Sequence, residues 1–321
     1  MSRRRRLTGT IVAVAALAAA LLAAGAWSQS AATDVIPGFV QSAGNPEAPR
    51  TVVLVHDGPG QDRQWLFRSH RVLASDVLRV VAYDQRGAGR SRPPRAPLSA
   101  TIDDLYRYEV YVADLEALRK KLGLERLDLV GHGWGGFVAA AFAAEHPRRV
   151  RTLMLVNARP LSLRDDLDGQ LIAGSRRANL IRKGLVPLRA PAGEPNSCRA
   201  SDLAYLPMLL ASPSSKKRAI KALGPFTCSQ TPRSLTEIAL TERLDDRLAL
   251  RRRLARYAGP ALVIAGARDP YGDTWFKGDR AQLAGAKVTA RRLAGTGHFP
   301  WIDGPEYLSA LRGFIARTWS G

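Results

Sequence analysis

The sequence predicts an α/β protein: a mostly parallel sheet flanked by helices, with a mainly helical cap inserted before the last strands. Three observations lead there. Short, unbroken apolar runs rich in β-branched residues recur along the chain, as in strands buried on both faces. They alternate with longer stretches of helical periodicity, which implies parallel strands covered by helices. Between residues 157 and 257 that alternation stops, although Leu and Ile remain frequent. With 321 residues, 46% hydrophobic and 24% charged, the chain suffices for one large domain with an insertion.

Residues 1–26 stand apart. Arg3, Arg4, Arg5 and Arg6 precede an uncharged stretch over residues 7–33, whose centre is nearly all Ala, Val and Leu. A basic start, an apolar run and the small-residue pattern Ala24-Gly25-Ala26 read as a cleavable export signal. An uncleaved N-terminal membrane anchor is the competing reading, because the run nears the ~17-residue lower limit for a spanning helix. Alanine makes it only weakly apolar, which favours cleavage. The expected location is exported, secreted or associated with the cell envelope, with membrane contact only through this segment if it stays attached.

The first part of the core is expected over residues 35–157. A polar lead-in with Pro37, Gly38 and Gly44 runs to Arg50. Residues 51–56 (Thr-Val-Val-Leu-Val-His) and 78–84 (Leu-Arg-Val-Val-Ala-Tyr-Asp) read as buried strands. A helix is expected over residues 102–122, where Ile102, Leu105, Tyr108, Val112, Leu115, Leu118 and Leu122 form one apolar stripe at three- and four-residue steps. A strand follows at 126–130 and a helix at 134–145, closed by His146-Pro147. Another strand lies at 150–156. Residues 158–257 read as the cap, loop-rich with breaks at Pro187, Pro191, Pro195, Pro213, Pro225 and Pro232, seated over the carboxyl edge of the sheet, where open α/β sheets bind ligands. The core resumes over 258–321, with strands at 261–266 and 288–293 and a closing helix at 305–318.

The net charge of +20 favours anionic partners. Its arginines are dispersed among Ala and Leu without a nucleic-acid module, so specific nucleic-acid binding is not expected. Residues 161–255 hold 17 Lys and Arg against 9 Asp and Glu. A cap of that charge suits a carboxylate or phosphate better than an ammonium group. The two cysteines, Cys198 and Cys228, read as a disulfide in an exported protein or, alternatively, as two buried thiols.

Four motifs carry chemistry. His56-Asp57-Gly58-Pro59-Gly60 follows the first strand, and Asp84-Gln85-Arg86-Gly87-Ala88-Gly89-Arg90-Ser91 follows the second. Gly131-His132-Gly133-Trp134-Gly135-Gly136 joins a strand to a helix through a glycine turn, the setting of a nucleophile elbow. Gly266-Ala267-Arg268-Asp269 and Gly297-His298-Phe299-Pro300 follow two late strands. In this order the motifs resemble an α/β-hydrolase, most closely the proline iminopeptidase group, over residue 51 to the C-terminus with the cap matching least. The elbow also resembles the Gly-His-Asp-Trp-Gly-Gly of epoxide hydrolases and haloalkane dehalogenases. It fits either family except at Gly133, whose hydrogen side chain cannot attack a carbonyl.

The resemblance implies that His298 is the general base and that Asp269 accepts its Nδ1–H. It implies an oxyanion hole from the backbone N–H groups of Trp134 and Gly58. Asp57 replaces a glycine of that loop. It either points outward or stands by the hole, where it opposes a developing oxyanion and becomes a substitute acid, base or nucleophile. His132 reads as a packed elbow residue, His146 as a helix end, His70 as a surface residue and His56 as a structural member of its loop. Asp84 and Arg86 resemble a turn-fixing pair. The histidines show no metal-ligand spacing, and no cofactor is implied. The leading expectation is a hydrolase-like enzyme acting on a small ester, amide or short peptide-like substrate, an anionic one suiting the charge best. It would use the His298–Asp269 dyad without a serine nucleophile. The alternative is an inactive pseudoenzyme that binds a ligand. A serine nucleophile elsewhere ranks last, since Ser91 and the cap serines lack an elbow.

Overall fold

Seven strands hydrogen-bond into one sheet in the order β1-β3-β2-β4-β5-β6-β7. They are β1 Val40–Ala43, β2 Arg50–Val55, β3 Leu78–Tyr83, β4 Leu127–His132, β5 Val150–Val156, β6 Pro260–Gly266 and β7 Lys287–Leu293. All neighbours are parallel except β1 and β3, which are antiparallel. The computed structural model describes residues 39–91, 101, 105–242 and 244–319, so the expected signal or anchor at 1–26 lies outside the described residues. Among the described residues no helix is long and apolar enough to cross a membrane.

Period-two alternation explains why the central strands are mainly apolar. Val53 and Val55 of β2 join one core cluster, with Tyr111, Leu115, Leu118, Phe137 and Phe142 of the helices Tyr108–Lys121 and Trp134–Glu145. Val52 and Leu54 point the other way, into a second cluster with Leu66, Phe67, Tyr307, Leu311 and Phe314. Helices Gln64–His70 and Glu306–Arg317 supply that cover. Every residue of β2 and β4 is buried as a result. β7 closes one edge and is mostly exposed, and its Lys287, Arg291 and Arg292 discourage edge pairing.

Three expectations need correction. The polar lead-in contains a strand, β1, too short and too polar to stand out as an apolar run. The helix expected over 102–122 is interrupted at Arg107, which is extended (φ −66°, ψ 155°): Leu105 and Tyr106 are helical, the helix Tyr108–Lys121 follows, and Ile102 lies outside the described residues. Its Tyr108, Val112, Leu115 and Leu118 are buried, as the stripe requires. His70 is fully buried rather than superficial. Its ring contacts the Tyr307 hydroxyl at 2.5 Å and the Leu66 carbonyl at 2.8 Å, and burial pulls its pKa down to about 3.

Between β5 and β6 lie five helices of eight residues or more: Leu163–Arg182, Arg199–Leu209, Lys216–Leu223, Gln230–Glu242 and Leu244–Leu254. Leu250 and Leu254 of the last belong to the core cluster on the sheet. Cys198 and Cys228 are joined in a disulfide. The segment around Cys228 grips the loop after β2: Asp62 N–H donates to Thr227 O (3.0 Å), Thr227 N–H to the Asp62 carboxylate (2.7 Å), and Ser229 N–H to Gly60 O (2.9 Å).

Candidate active site

The carboxyl ends of β2, β3, β4, β6 and β7 bring the four motifs together. β4 ends in His132, and Gly133 turns the chain into the helix Trp134–Glu145 with φ 53° and ψ −120°. A left-handed φ of this kind favours glycine. The helix starts hard against β2: a Cβ on Gly135 would lie 2.0 Å from Val55 O. That close approach sets the His56–Asp57 loop directly over the elbow.

Gln85 joins the loop and the elbow. Its backbone N–H donates to His56 Nε2 (3.0 Å), its amide donates to His56 O (2.5 Å), and its Oε1 accepts from Trp134 Nε1 (2.9 Å). With Nε2 accepting, His56 Nδ1 donates to Asp57 O (2.6 Å). Asp84 and Arg86 are not bonded to each other. Asp84 accepts from Arg63 and from Arg90 N–H, and Arg86 pairs with Asp114. Each fixes the turn through its own partner.

Asp57 points inward. Its Oδ1 accepts the Trp134 backbone N–H at 2.7 Å, and its Oδ2 faces His298 Nε2 at 3.2 Å. His298 Nδ1 meets Asp269 Oδ2 at 2.6 Å, and Tyr271 N–H holds the other Asp269 oxygen at 2.8 Å. The carboxylate of Asp57 fills the space a residue-133 side chain would need: a Cβ there would lie 2.0 Å from its Oδ1. The Trp134 N–H, an expected oxyanion donor, is therefore already engaged. Gly58 follows Asp57 with φ 150° and precedes a cis bond to Pro59.

The electrostatics follow from this sandwich. Burial disfavours a charged His298, but the ion pairs with Asp269 and Asp57 outweigh it and raise its pKa to about 10. Burial likewise disfavours ionised Asp57, but the bond from His298, the charge of His298, and the Trp134 N–H hold its carboxyl below the usual range. These contacts favour the protonated form of His298 near neutrality.

Two residues orient the histidine loop. His132 Nε2 contacts His298 O at 2.8 Å, and burial lowers its pKa to about 4, so it is neutral and donates. Asn157 donates to Gly297 O (3.1 Å) and His298 O (2.8 Å) and accepts from Gly266 N–H (2.8 Å), locking β6 to that loop. Sequence reasoning missed Asn157, since a polar residue ending an apolar strand carries no distinctive signal. His146 caps its helix, as expected.

Although the sequence shows no metal spacing, Asp57, His132 and His298 each present one ligand atom within 4.8 Å of the others. The 3.2 Å separation of Asp57 and His298 is that of a hydrogen bond, which one proton accounts for. The second such cluster contains Cys198 and Cys228, whose sulfurs are already bonded to each other.

A family profile described as the alpha/beta hydrolase fold matches residues 50–305. The proline iminopeptidase of Xylella fastidiosa (strain 9a5c) is 38% identical over 117 residues, 36% of this chain and 34% of that protein. That of Neisseria meningitidis serogroup A is 37% identical over 117 residues, 36% and 35% of the two chains. The matched segment thus spans about a third of these relatives. The structure of a proline iminopeptidase from Mycobacterium smegmatis superimposes with a TM-score of 0.60 at 22% identity, covering 87% of this chain and 94% of that one, a likeness of fold.

Proposed function

Because the chain belongs to the α/β-hydrolase fold family, we propose that it is a hydrolase in which Asp57 has taken over the place of the elbow nucleophile. One observation carries this: the Asp57 carboxylate stands where a side chain at position 133 would be, bonded to Trp134 N–H and facing His298. Glycine at 133 and aspartate at 57 are two halves of one substitution.

The chemistry narrows the substrate. A carboxylate attacking an ester or amide carbonyl would form an anhydride, more reactive than its precursor. Attack on a saturated carbon bearing a leaving group forms an ordinary ester. In that step the Oδ2–carbon bond forms, and the leaving group departs with the electron pair. Alkylated Asp57 is neutral, so His298 keeps only Asp269 as counter-ion, its pKa falls, and its Nε2 proton passes to the departing group or to solvent. Neutral Nε2 then takes a proton from water attacking Asp57 Cγ. Trp134 N–H already holds Oδ1, where charge develops. The Cγ–Oδ2 bond breaks, the product leaves as an alcohol carrying Oδ2, and the carboxylate reforms with an oxygen from water. We favour this covalent route over the His298–Asp269 dyad acting without an intermediate, because its pairing with Asp57 and Asp269 holds His298 protonated and a protonated imidazole is no general base.

Single turnover in ¹⁸O-water tests it, using haloalkanes, epoxides, nitrophenyl esters and aminoacyl arylamides. Label in the Asp57 peptide, absent from Asp57→Asn, is the expected result. Label appearing first in the product would refute a covalent Asp57. A second reading, a ligand-binding protein without turnover, is favoured by the mutual neutralisation of Asp57 and His298, and predicts no label anywhere.

A further inference from the structure

The amino edge of the sheet, opposite the strand ends that carry Asp57 and His298, holds a cleft of about 760 Å³. Arg126 stands beside the start of β4, Arg148 and Arg151 flank the start of β5, Arg256 precedes β6, and Arg317 ends the last helix; all five line the cleft. Val150, Tyr257 and Pro260 add apolar surface between them. Asp128 accepts from Arg151 at 3.0 Å, but it already accepts from buried Arg50 at 2.8 and 2.9 Å and from Thr152 at 2.6 Å. Among the described residues no carboxylate pairs with Arg126, Arg148, Arg256 or Arg317, all four exposed.

A guanidinium stays charged at any physiological pH, so like charges such as Arg126, Arg148, Arg256 and Arg317, gathered without acid partners of their own, repel one another until an anion enters. Apolar walls lower the local dielectric and strengthen both the repulsion and its relief. The planar fork of each arginine matches phosphate oxygens two at a time. The volume is that of a small-molecule site. We propose that this cleft binds a phosphate-bearing anion, either free in solution or as a lipid headgroup. The site is separate from the hydrolytic centre and does not depend on its activity.

The full chain is titrated calorimetrically with pyrophosphate at physiological salt. It is also sedimented with phosphatidylcholine vesicles with and without phosphatidylglycerol. The cleft variant is Arg148→Gln/Arg256→Gln. The control is Arg182→Gln/Arg189→Gln, which removes the same charge from exposed positions elsewhere. Saturable binding that falls at least roughly tenfold in the cleft variant, and less than about twofold in the control, is expected. Pyrophosphate alone showing that pattern identifies a free phosphate, and anionic vesicles alone showing it identify a headgroup. Equal weakening by both variants, weakening by neither, or no binding to either probe overturns the proposal.

Discussion

Gly133→Ser is the obvious repair of a missing nucleophile, and the geometry says that by itself it fails. The new Cβ would lie 2.0 Å from Asp57 Oδ1, 2.3 Å from its Cγ and 2.7 Å from Oδ2. Ordinary carbon–oxygen contact needs about 3.4 Å, so the carboxylate must move by more than about 1 Å. It then loses the Trp134 N–H at 2.7 Å and His298 Nε2 at 3.2 Å. Breaking one partner from a buried charge pair costs about 3–5 kcal/mol, and a non-glycine residue at φ 53° adds about 1–3. Partial exposure of Asp57 gives the displaced carboxylate some access to water, so about 3–6 kcal/mol is the working range. In a domain of this size that is a fall in Tm of roughly 6–20 °C. Adding Asp57→Gly removes the obstructing atoms, frees Trp134 N–H and leaves a hydroxyl within reach of His298. Thermal unfolding and fluorophosphonate labelling read the outcome. The single variant should be destabilised and unlabelled. The double variant should recover most of the loss and become labelled. A single variant as stable as the parent and fully labelled, or a double variant no more stable than the single, would refute the reasoning.

Two further outcomes follow from the same contacts. The raised pKa of His298 makes its ion pairs a source of stability that is fully present below the unfolded value of about 6.5 and disappears as pH rises through about 10. The stability difference between the parent and His298→Gln, measured by denaturant melts, should therefore be largest below pH 6.5 and shrink towards pH 10; a gap that grows with pH would contradict it. Replacing Cys198 and Cys228 together by alanine opens a loop with a sequence separation of 30 and should cost about 3–4 kcal/mol in the chain-entropy model. An unchanged denaturation midpoint would mean that the hydrogen bonds from Thr227 and Ser229 to the β2 loop already hold the segment.

Most of the fold was legible because burial on both faces writes itself into a strand as an uninterrupted apolar run. β2 through β6 are mainly such runs, with polar residues at no more than two positions each, and their spacing by helices leaves few topologies. β1 was hidden because a four-residue edge strand needs no apolar run. His70 was misread because a lone histidine has no pattern that reveals a hydroxyl partner 237 residues away. Arg107 interrupts a stripe whose periodicity crosses it without a break, since side-chain spacing does not report a single extended residue.

Residue order alone gave away the α/β architecture, the positions of the His298 and Asp269 loops at strand ends, and a glycine, with no attacking atom, at the elbow position 133. These are local properties: they depend on runs, turns and residue identity within a few positions. Where Asp57 points is fixed by long-range packing, because its neighbours Trp134 and His298 come from the elbow helix and the loop after β7, 77 and 241 residues along the chain. The direction of one carboxylate over a glycine depends on how closely β2 packs on the elbow helix, at Gly135 against Val55. That packing converts two separate departures from the family pattern into one chemical site.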